Sequence, residues 1–311
     1  MLSRVAERLY WTARYLERVE DTARLASAYT HLILDIPIGV APEWEVLIEI
    51  VDAEETFTRR YQRRTERNVV KYLLADTDSP NSIRYSTRCV RENVRTTRDQ
   101  LPGKAWELVN ELYLYVEEEA PRAVNRPHRF EFLDNVIGRV QQINGLIGST
   151  VTRDQSLWFL QLGQMIERAD MTSRVLDAGD AIIIERKDRT LTEVPTLWAN
   201  LLQSLSATSA YRRQVGPEME ANAVFNFMLK NQQFPRSMLF CINHCEEVVG
   251  LLRPPPGLLR LIRSVVRRLR AFRAEDVDLA ELRALLDTVQ KEIAEIDAAI
   301  HDTWFAVDAQ V

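Results

Sequence analysis

The sequence predicts an all-α protein, and its composition and an internal repeat are the observations that favour this class. Of its 311 residues, 46% are hydrophobic and 27% are charged, which is typical of a globular chain rather than a disordered one. It has only 10 glycines and 12 prolines, and alternating runs of β-branched residues are few. The turn and strand signals of sandwiches, barrels and Rossmann units are therefore missing.

Two stretches separated by 150 residues carry the same pattern of charged side chains. Residues 15–24 read YLERVEDTAR and residues 165–174 read MIERADMTSR, so both fit E-R-x-[DE]-x-T-x-R. Further matches follow in the same order at offsets of 154 or 155: Trp44 with Trp198, Phe57 with Tyr211, Pro80 with Pro235, Glu92 with Glu247 and Pro102 with Pro256. The order predicts an internally duplicated helical bundle, with two pseudo-twofold-related copies of five to six helices. We place the first repeat at residues 1–153 and the second at 154–311, fused into one body.

The individual helices follow from prolines and apolar spacing. A first helix is predicted from about residue 3 to 36, and its counterpart from about 154 to 187. Prolines precede or open later helices in both copies, namely Pro42, Pro195, Pro80 and Pro235. A last helix near 275–305 has one apolar stripe, made of Leu282, Leu285, Leu286, Val289, Ile293, Ile296 and Ile300. Its counterpart in the first copy contains Phe132, Val136, Ile143 and Ile147.

The charge balance and the hydropathy pattern limit the classes of partner. Lys and Arg number 40 against 45 Asp and Glu, a net charge of −5, so attraction of the whole chain to nucleic acid is not expected. The opening MLSRVAERLYWTARYLERVE has no apolar core of a signal peptide, and no segment approaches the ~18 apolar residues of a membrane span. We expect a cytoplasmic protein without a membrane partner. Its three cysteines fit reduced thiols.

The two motifs place ionisable side chains on one face of each motif helix. At about 100° per residue, Glu17 and Arg24 point in nearly the same direction, with Glu20 to one side. Apolar positions adjoin this face, so its charges must be paired, and the i,i+4 spacing allows Glu20 to pair with Arg24. The predicted central polar site consists of Glu17, Arg18, Glu20, Arg24, Glu167, Arg168, Asp170 and Arg174.

Three interpretations of this polar site stay open at this point: a salt-bridge network that fixes helix register, a site for a small molecule, phosphate or metal, or simple surface pairing. A di-iron centre is not predicted, because no histidine follows a glutamate by three residues. Cys241-x-x-His244-Cys245 lacks a second pair of zinc ligands, so core packing is the preferred interpretation. Phosphate-binding loops and serine-hydrolase elbows are missing from the sequence. We expect no resident metal or cofactor, with Mg²⁺ considered only if the carboxylates are catalytic.

A stripe of arginines is confined to the first copy. Arg84, Arg88, Arg91, Arg95 and Arg98 recur at spacings of 4, 3, 4 and 3 on the helix that follows Pro80. Because acidic partners are scarce within the stripe, it predicts binding of an acidic protein partner or a phosphate-bearing ligand; a solvated face is the alternative. A second arginine cluster comprises Arg59, Arg60, Arg63, Arg64 and Arg67, and a third comprises Arg260, Arg263, Arg267, Arg268 and Arg270. Aromatic residues between these arginines are sparse, so nucleic-acid binding is not predicted.

The opening residues 1–11, running into Tyr15-Leu-Glu-Arg18, resemble the start of the bacterial alpha-E domain family. The stretches 80–83, 91–93, 106–110, 159–168 and 234–237 resemble that family as well. The resemblance implies an all-helical protein that belongs with gene sets encoding circularly permuted ATP-grasp ligases and transglutaminase-like peptidases. Such sets have been proposed to make or modify peptides.

The resemblance therefore implies a helical binding or accessory component of an ATP-grasp-linked peptide or amide-forming system, whose partner is a circularly permuted ATP-grasp protein. One alternative is an enzyme in which Glu17, Glu20, Glu167 and Asp170 provide acid/base groups or bind Mg²⁺. Another is a scaffold that docks a partner through the arginine stripe. We also expect Glu17 and Glu167 to approach each other across the pseudo-twofold axis, because the motif helices are the most similar parts of the two copies.

Overall fold

The computed structural model describes residues 1–35, 43–183, 193–273 and 279–306, without the side chains of 180–183, 193 and 279. Within these ranges every regular element is helical, which confirms the all-α class. The first seven α-helices are α1 (Ser3–Asp35), α2 (Val46–Ile50), α3 (Glu54–Arg60), α4 (Glu66–Leu74), α5 (Ile83–Thr96), α6 (Gly103–Ala123) and α7 (Arg126–Thr150). The next seven are α8 (Gln155–Ile183), α9 (Glu193–Ser204), α10 (Thr208–Gln214), α11 (Ala221–Lys230), α12 (Met238–Leu251), α13 (Pro256–Ala271) and α14 (Leu279–Trp304).

The described part of each half thus contains seven α-helices where the sequence predicts five to six. The difference arises because α2 and α9 end in sharp turns at Asp52 and Ser206, whose φ angles of 51° and 53° lie in the left-handed region. At these turns the backbone N–H of Ala53 donates to Ile48 (3.0 Å), and that of Ala207 donates to Leu202 (2.7 Å). Helices this short leave too few apolar positions for a period to be recognised. The predicted helix ends at 36 and 187, the start at 275 and Pro42 lie outside the described residues.

Serine caps start the corresponding helices α5 and α12. The Ser82 hydroxyl accepts from the Arg84 backbone N–H (3.2 Å), and the Ser237 hydroxyl accepts from that of Phe240 (3.3 Å). Such caps satisfy backbone donors that have no partner within the helix. Pro80 and Pro235 lie two residues before the caps rather than in the first helical turn. Their carbonyl oxygens consequently remain available to other groups.

The core forms around α1 and α8, which share the largest helix–helix interface of the described structure. The two helices run side by side in the same direction, because Tyr10 meets Gly163 and, further along, Glu17 meets Arg168. Helix α1 also packs on α5, α7, α9 and α14, and α8 also packs on α12, α14 and α9. Charged residues on the α1–α8 interface are therefore surrounded by other helices.

The predicted apolar stripes face this core. In α14 the buried members are Leu282, Leu286, Val289, Ile293, Ile296 and Ile300, while Leu285 is partly buried against them. In α7 Phe132, Val136, Ile143 and Ile147 are buried. At about 25 cal/mol per Å² of apolar surface removed from water, such stripes supply most of the driving force for packing these helices. None of the described helices is long and apolar enough to cross a membrane.

Candidate functional site

Two glutamates lie at the centre of the α1–α8 interface, and each is bound by an arginine of the other helix. Arg168 of α8 donates Nε to Glu17 Oε1 (2.6 Å) and Nη2 to Oε2 (2.8 Å). In return, Arg18 of α1 donates Nε to Glu167 Oε1 (2.5 Å) and Nη2 to Oε2 (3.0 Å). Both contacts are two-pronged guanidinium–carboxylate pairs, the strongest arrangement of these groups. The structure thus brings Glu17 and Glu167 into one interface.

The same two arginines reach the loops that precede α5 and α12. Arg18 Nη1 donates to the carbonyl oxygen of Pro80 (3.4 Å), and Arg168 Nη1 donates to that of Pro235 (3.3 Å). Each guanidinium therefore joins a carboxylate of the facing helix to the loop beside its own helix. The local arrangement around Arg18 repeats around Arg168.

Further donors complete the coordination of the two glutamates. On the Glu167 side, Arg14 donates Nε to Glu167 Oε2 and Nη1 to Asp297 Oδ1, both at 2.7 Å. The Tyr10 hydroxyl also donates to Asp297. On the Glu17 side, the Gln164 side-chain amide donates to Glu17 Oε2 (3.0 Å).

Arg236, which follows Pro235, enters the Glu17 side of the interface from the loop before α12. Its Nη1 lies 2.5 Å from Asp21 Oδ1 and 3.0 Å from Glu17 Oε1, and its Nη2 lies 3.4 Å from Glu20 Oε1. One arginine therefore serves three carboxylates of α1. Its burial, with 9% of the side chain exposed, strengthens these contacts because little water competes for them.

The predicted i,i+4 pairs are present in both motif helices. Arg24 Nη2 lies 2.5 Å from Glu20 Oε1, and Arg174 Nε lies 3.0 Å from Asp170 Oδ2. Arg174 additionally approaches Asp52 Oδ2 at 3.3 Å. These pairs confirm the spacing argument and stand at the half-buried edge of the interface, where the Arg24 and Arg174 side chains are 15% and 24% exposed.

We call the whole set the Glu–Arg network. On one side it contains the carboxylates Glu17, Glu20 and Asp21 with the guanidinium groups Arg24, Arg168 and Arg236. On the other side it contains the carboxylates Glu167, Asp170 and Asp297 with the guanidinium groups Arg14, Arg18 and Arg174. Three carboxyl groups thus meet three guanidinium groups on each side. This balance matters because an unpaired charge is very costly to bury.

The electrostatics differ within the network. Burial by itself would raise the pKa of Glu17 and Glu167, but the adjacent arginines outweigh it and lower both values to about 2. At Asp21 the balance is reversed: burial and the charges of Glu17 and Glu20 outweigh Arg236 and raise the pKa to about 7. Its Oδ2 has no hydrogen-bond partner in the described structure. Asp21 is therefore the least satisfied carboxylate of the network.

A surface groove reaches the edge of the network. A groove of about 590 Å³ between α2, α8 and α14 is lined by Arg174 together with Asp52, Asp177 and Asp287. Glu17 is fully buried and Glu167 is 3% exposed, so the central glutamates lie beneath this surface. Within the described residues no group of three or more His, Cys, Asp or Glu side chains has the arrangement of a metal site.

Four of the five stripe arginines lie on α5, whereas Arg98 follows the end of that helix in a 3-10 turn, which corrects the expectation of one continuous helix. The stripe divides into two sets. Arg84 donates to both Glu117 oxygens (3.0 and 2.7 Å), Arg91 donates to Asn110 (2.9 Å), and Arg98 lies 3.8 Å from the centre of the Trp106 ring. All three acceptors belong to α6. The expectation that these arginines lack partners is thus corrected. The neighbouring helix α6 supplies partner side chains that the spacing within α5 cannot reveal.

The other two stripe arginines point away from α6. Arg95 pairs with Glu92 (3.0 Å), and Arg88 donates to the Thr77 carbonyl oxygen (3.0 Å) while stacking on Tyr85. Arg88 remains exposed. It borders a groove of about 420 Å³ between α1 and α5.

The cysteines of α12 behave as core residues. Cys241 and Cys245 are fully buried, and burial raises the pKa of Cys241 to about 12 and that of Cys245 well above its ordinary value. A protonated, buried thiol packs as a small apolar group. His244 instead lies near Glu247 at the surface of the helix.

The sequence reasoning missed Arg14, Asp21, Gln164, Arg236 and Asp297. Arg14 could have been found, because it lies three residues before Glu17 on the same helical face. Arg236 stands within the Pro-x-Ser pattern that occurs at both Pro80 and Pro235, but its position there gives no indication of a partner in α1. Asp297 is separated by 283 residues from Arg14, the network arginine that it binds, so only tertiary packing identifies it.

A protein-family comparison bears on the central motif. A family described as a predicted alpha-helical domain with a conserved ER motif matches residues 1–305. The chain belongs to the Alpha-E family. The Glu-Arg dipeptides at 17–18 and 167–168 fit that description, and they are the residues that exchange contacts across the α1–α8 interface.

This Alpha-E chain is similar to curated mycobacterial proteins. Uncharacterized proteins of Mycobacterium bovis and Mycobacterium tuberculosis are 24% identical to this chain over 329 residues. The match covers 96% of this chain and 35% of each relative, so the chain spans about a third of the length of these relatives. No solved structure matches the chain.

Proposed function

We propose that this Alpha-E chain is a helical binding or accessory component of an ATP-grasp-linked peptide or amide-forming system, and that its Glu–Arg network is structural. The observation that carries the proposal is that protein donors occupy the carboxylate oxygens of the two central glutamates. Glu17 is held by Arg168, Arg236 and Gln164, and Glu167 is held by Arg18 and Arg14.

The occupied oxygens of Glu17 and Glu167 favour a binding role of the chain over catalysis by these two carboxylates. A general base must reach the proton that it abstracts, and it works best with a pKa near the operating pH. Glu17 and Glu167 are buried, and their pKa values are lowered to about 2. Their oxygens are already occupied by arginine donors, which also speaks against the enzyme alternative in which they bind Mg²⁺.

We further propose that residues 1–153 and 154–311 are two copies of one helical unit. Three observations support this. The described helices of the halves follow in the same order, from α1 to α7 and from α8 to α14. Arg18 and Arg168 make matching contacts to a facing glutamate and to a proline carbonyl. Left-handed residues occur at Asp52 and Ser206, which differ by 154 positions.

The proposed partner follows from the family resemblance and from the length of the relatives. The resemblance implies association with circularly permuted ATP-grasp ligases. In the mycobacterial relatives the matching region is about a third of a longer chain, which suits a unit that works beside another protein module. Such a unit needs a stable surface. The paired, buried Glu–Arg network would hold the helices rigidly and thereby keep that surface in place.

A binding and activity experiment tests this function. The chain is titrated calorimetrically with a circularly permuted ATP-grasp ligase of the same genome, and ATP-dependent amide formation is measured for each protein alone and for the mixture. We expect a complex, no amide formation by the chain alone, and an altered rate for the mixture. A ligase that neither binds the chain nor changes its rate would refute the accessory role. Turnover by the chain alone would support the enzyme alternative.

The scaffold alternative is examined in the same titration with an Arg88→Glu/Arg95→Glu variant. These exposed positions lie outside the α5–α6 contact, so the variant should fold normally. Weaker ligase binding that also declines with added salt would assign the partner surface to this part of α5, because screening acts within about 8–10 Å at moderate ionic strength. Unchanged binding would remove these two arginines from the interface.

A further inference from the structure

The solvent-facing side of α13 carries a dense positive charge. Residues 253–273 contain seven arginines and no Asp or Glu. All seven are exposed, namely Arg253, Arg260, Arg263, Arg267, Arg268, Arg270 and Arg273. The opposite side of the helix buries Leu258, Ile262, Val265 and Leu269, so its orientation is fixed by the core and the arginines are held at the surface.

Neighbouring helices neutralise only part of this charge. Arg263 pairs with Glu246 of α12 (2.7 Å), and Arg268 pairs with Glu292 of α14 (2.9 Å). For Arg260, Arg267 and Arg270, no carboxylate in the described part of the chain lies within the 4.0 Å of a salt bridge. We call these three residues, together with Arg263, the α13 basic face. Their positions at i, i+3, i+7 and i+10 place them along one side of the helix.

The basic face is not needed to pack this helix. In the proposed repeat the counterpart of α13 is α6, which carries the opposite excess of charge. Helix α6 contains Glu107, Glu111, Glu117, Glu118 and Glu119 against Lys104 and Arg122. Both helices pack against the preceding and the following long helix of their own half. The same kind of packing is therefore compatible with either charge.

The concentration of like charge also has a cost. Arg263 and Arg267 stand at i,i+4, where like charges destabilise a helix. The chain as a whole has a net charge of −5, so a local excess of arginine is not a consequence of a generally basic composition. A face of this kind is stabilised when carboxylates of another molecule are placed opposite it, and guanidinium groups suit carboxylates because they can bind both oxygens.

We infer that the α13 basic face binds an acidic segment of a partner protein. Arg260 to Arg270 spans about 15 Å along the helix axis at 1.5 Å per residue, which corresponds to about three turns of a partner helix with carboxylates at matching spacings. A protein is favoured over a nucleic acid because no aromatic residue stands between Arg253 and Ala271 to stack on bases. The inference is independent of the ATP-grasp assignment, since it rests on the charges of α13 alone.

Fluorescence anisotropy with the full chain tests the inference. The probe is a labelled helical peptide whose glutamates repeat at i, i+3 and i+7, and the competitor is unlabelled poly-uridylate. The test variant is Arg260→Glu/Arg267→Glu. The matched control is Arg59→Glu/Arg63→Glu, which makes the same change of charge at exposed positions of the other half. Thermal melts verify that both variants are folded.

We expect the peptide to bind the wild-type chain, to bind the α13 variant about tenfold or more weakly, and to bind the control within about twofold of wild type. Binding should decrease as salt is raised. Equal weakening in both variants would show that the peptide senses only net charge, and would overturn the inference. Poly-uridylate that binds the α13 face more tightly than the peptide would overturn it in favour of a nucleic-acid ligand. An Arg260→Gln/Arg267→Gln variant keeps the test valid if charge reversal unfolds the chain.

Discussion

Glu17 illustrates what a buried charge requires of its surroundings. No water reaches the carboxylate, so the hydrogen bonds that water would provide must come from protein donors. Arg168, Arg236 and Gln164 supply them from three positions that are distant from Glu17 in sequence. Removal of the carboxylate charge leaves Arg168 buried with only the Pro235 carbonyl oxygen and deprives Arg236 of one of its three carboxylates, which is the main energetic consequence of changing this residue.

We predict that Glu17→Gln lowers the free energy of unfolding by about 3–5 kcal/mol, because it breaks a buried pair and leaves the Arg168 guanidinium without its carboxylate. The matched control is Glu111→Gln. Its carboxylate is 54% exposed and lies 4.0 Å from Arg139, so the expected loss is about 0–1 kcal/mol. Urea unfolding of both variants provides the comparison. Similar losses for the two substitutions would show that Glu17 is solvated.

Asp21 gives the network a pH dependence of the opposite sign to that of Glu17. Its folded-state pKa of about 7 exceeds the value of about 3.9 expected in the unfolded chain. Between these values the folded protein retains a proton that the unfolded chain has lost, so this residue reduces stability as pH rises through the window. Glu17 and Glu167 have lowered pKa values and contribute stability that is lost as pH falls from about 4.5 towards 2.

We predict that Asp21→Asn becomes progressively more stable relative to the wild type as pH is raised from about 4 to about 7. An amide keeps the shape of the side chain and does not titrate. The measurement is the difference in unfolding free energy between variant and wild type in urea, taken at several pH values. A difference that is constant with pH, or that changes in the other direction, would mean that Asp21 is ionised throughout this range.

The sequence predicts part of this residue-scale arrangement. Helical spacing identifies Glu20–Arg24 and Asp170–Arg174, because both pairs are local. It cannot identify Arg236 or Asp297, since their partners come from other helices and no local pattern distinguishes them from surface residues. The sequence predicts that the two motif helices meet, but it does not specify that Glu17 pairs with Arg168.

At the scale of elements, the close approach of α1 and α8 depends on a glycine. A methyl group at Gly163 would overlap the backbone carbonyl oxygen of Tyr10, and it would also lie 3.0 Å from the carbonyl carbon. Backbone atoms cannot move aside as a flexible side chain can. The two helices must therefore separate or shift if this position carries a larger residue, and the arginine–glutamate pairs further along the interface would be displaced as well.

We predict that Gly163→Ala lowers the free energy of unfolding by about 1–3 kcal/mol through this overlap. Gly138→Ala is the control, because Gly138 lies exposed within α7 and nothing would stand within 4 Å of the added methyl group. There the higher helix propensity of alanine should raise stability by up to about 1 kcal/mol. Opposite signs for the two substitutions, measured by chemical denaturation, are the expected result. A stabilising Gly163→Ala would contradict the close approach.

Element prediction from the sequence succeeds where helices are long. The apolar stripes of α14 and α7 face the core, because many turns repeat the same face. Prediction fails for α2 and α3, which are too short to show a period, and whose separation depends on the left-handed Asp52. The spacing places the stripe arginines on one helix, but α5 ends before Arg98, and the division of the stripe between α6 and solvent depends on tertiary packing.

At the scale of the whole molecule, the interface between α1 and α8 joins residues 1–153 to residues 154–311. Each part contributes arginines to a glutamate of the other, so neither part satisfies its own buried glutamate. A separated part would expose the apolar face of its motif helix and leave charged groups at a non-native boundary. The two proposed copies therefore depend on each other for stability.

We predict that residues 1–153 and 154–311, produced as separate polypeptides, do not fold cooperatively alone but form a helical complex when expressed together. The cut lies in the turn between α7 and α8, so it interrupts no helix. Circular dichroism melts of each part and of the co-purified pair provide the measurement. An Arg168→Glu substitution in the second part should prevent complex formation. A first part that melts cooperatively without its partner would contradict this mutual dependence.

The reciprocal pairs also affect how the chain folds during synthesis. Arg18 and Glu167 are separated by 149 residues, and Glu17 and Arg168 by 151. At a translation rate of about 5–20 residues per second, roughly 8–30 seconds pass between the emergence of the two members of a pair. During that interval α1 must keep Glu17 and Arg18 hydrated, and its neighbouring apolar positions are open to wrong contacts. Nascent chains stalled shortly before residue 167 should consequently be bound by chaperones and cleaved readily by proteases.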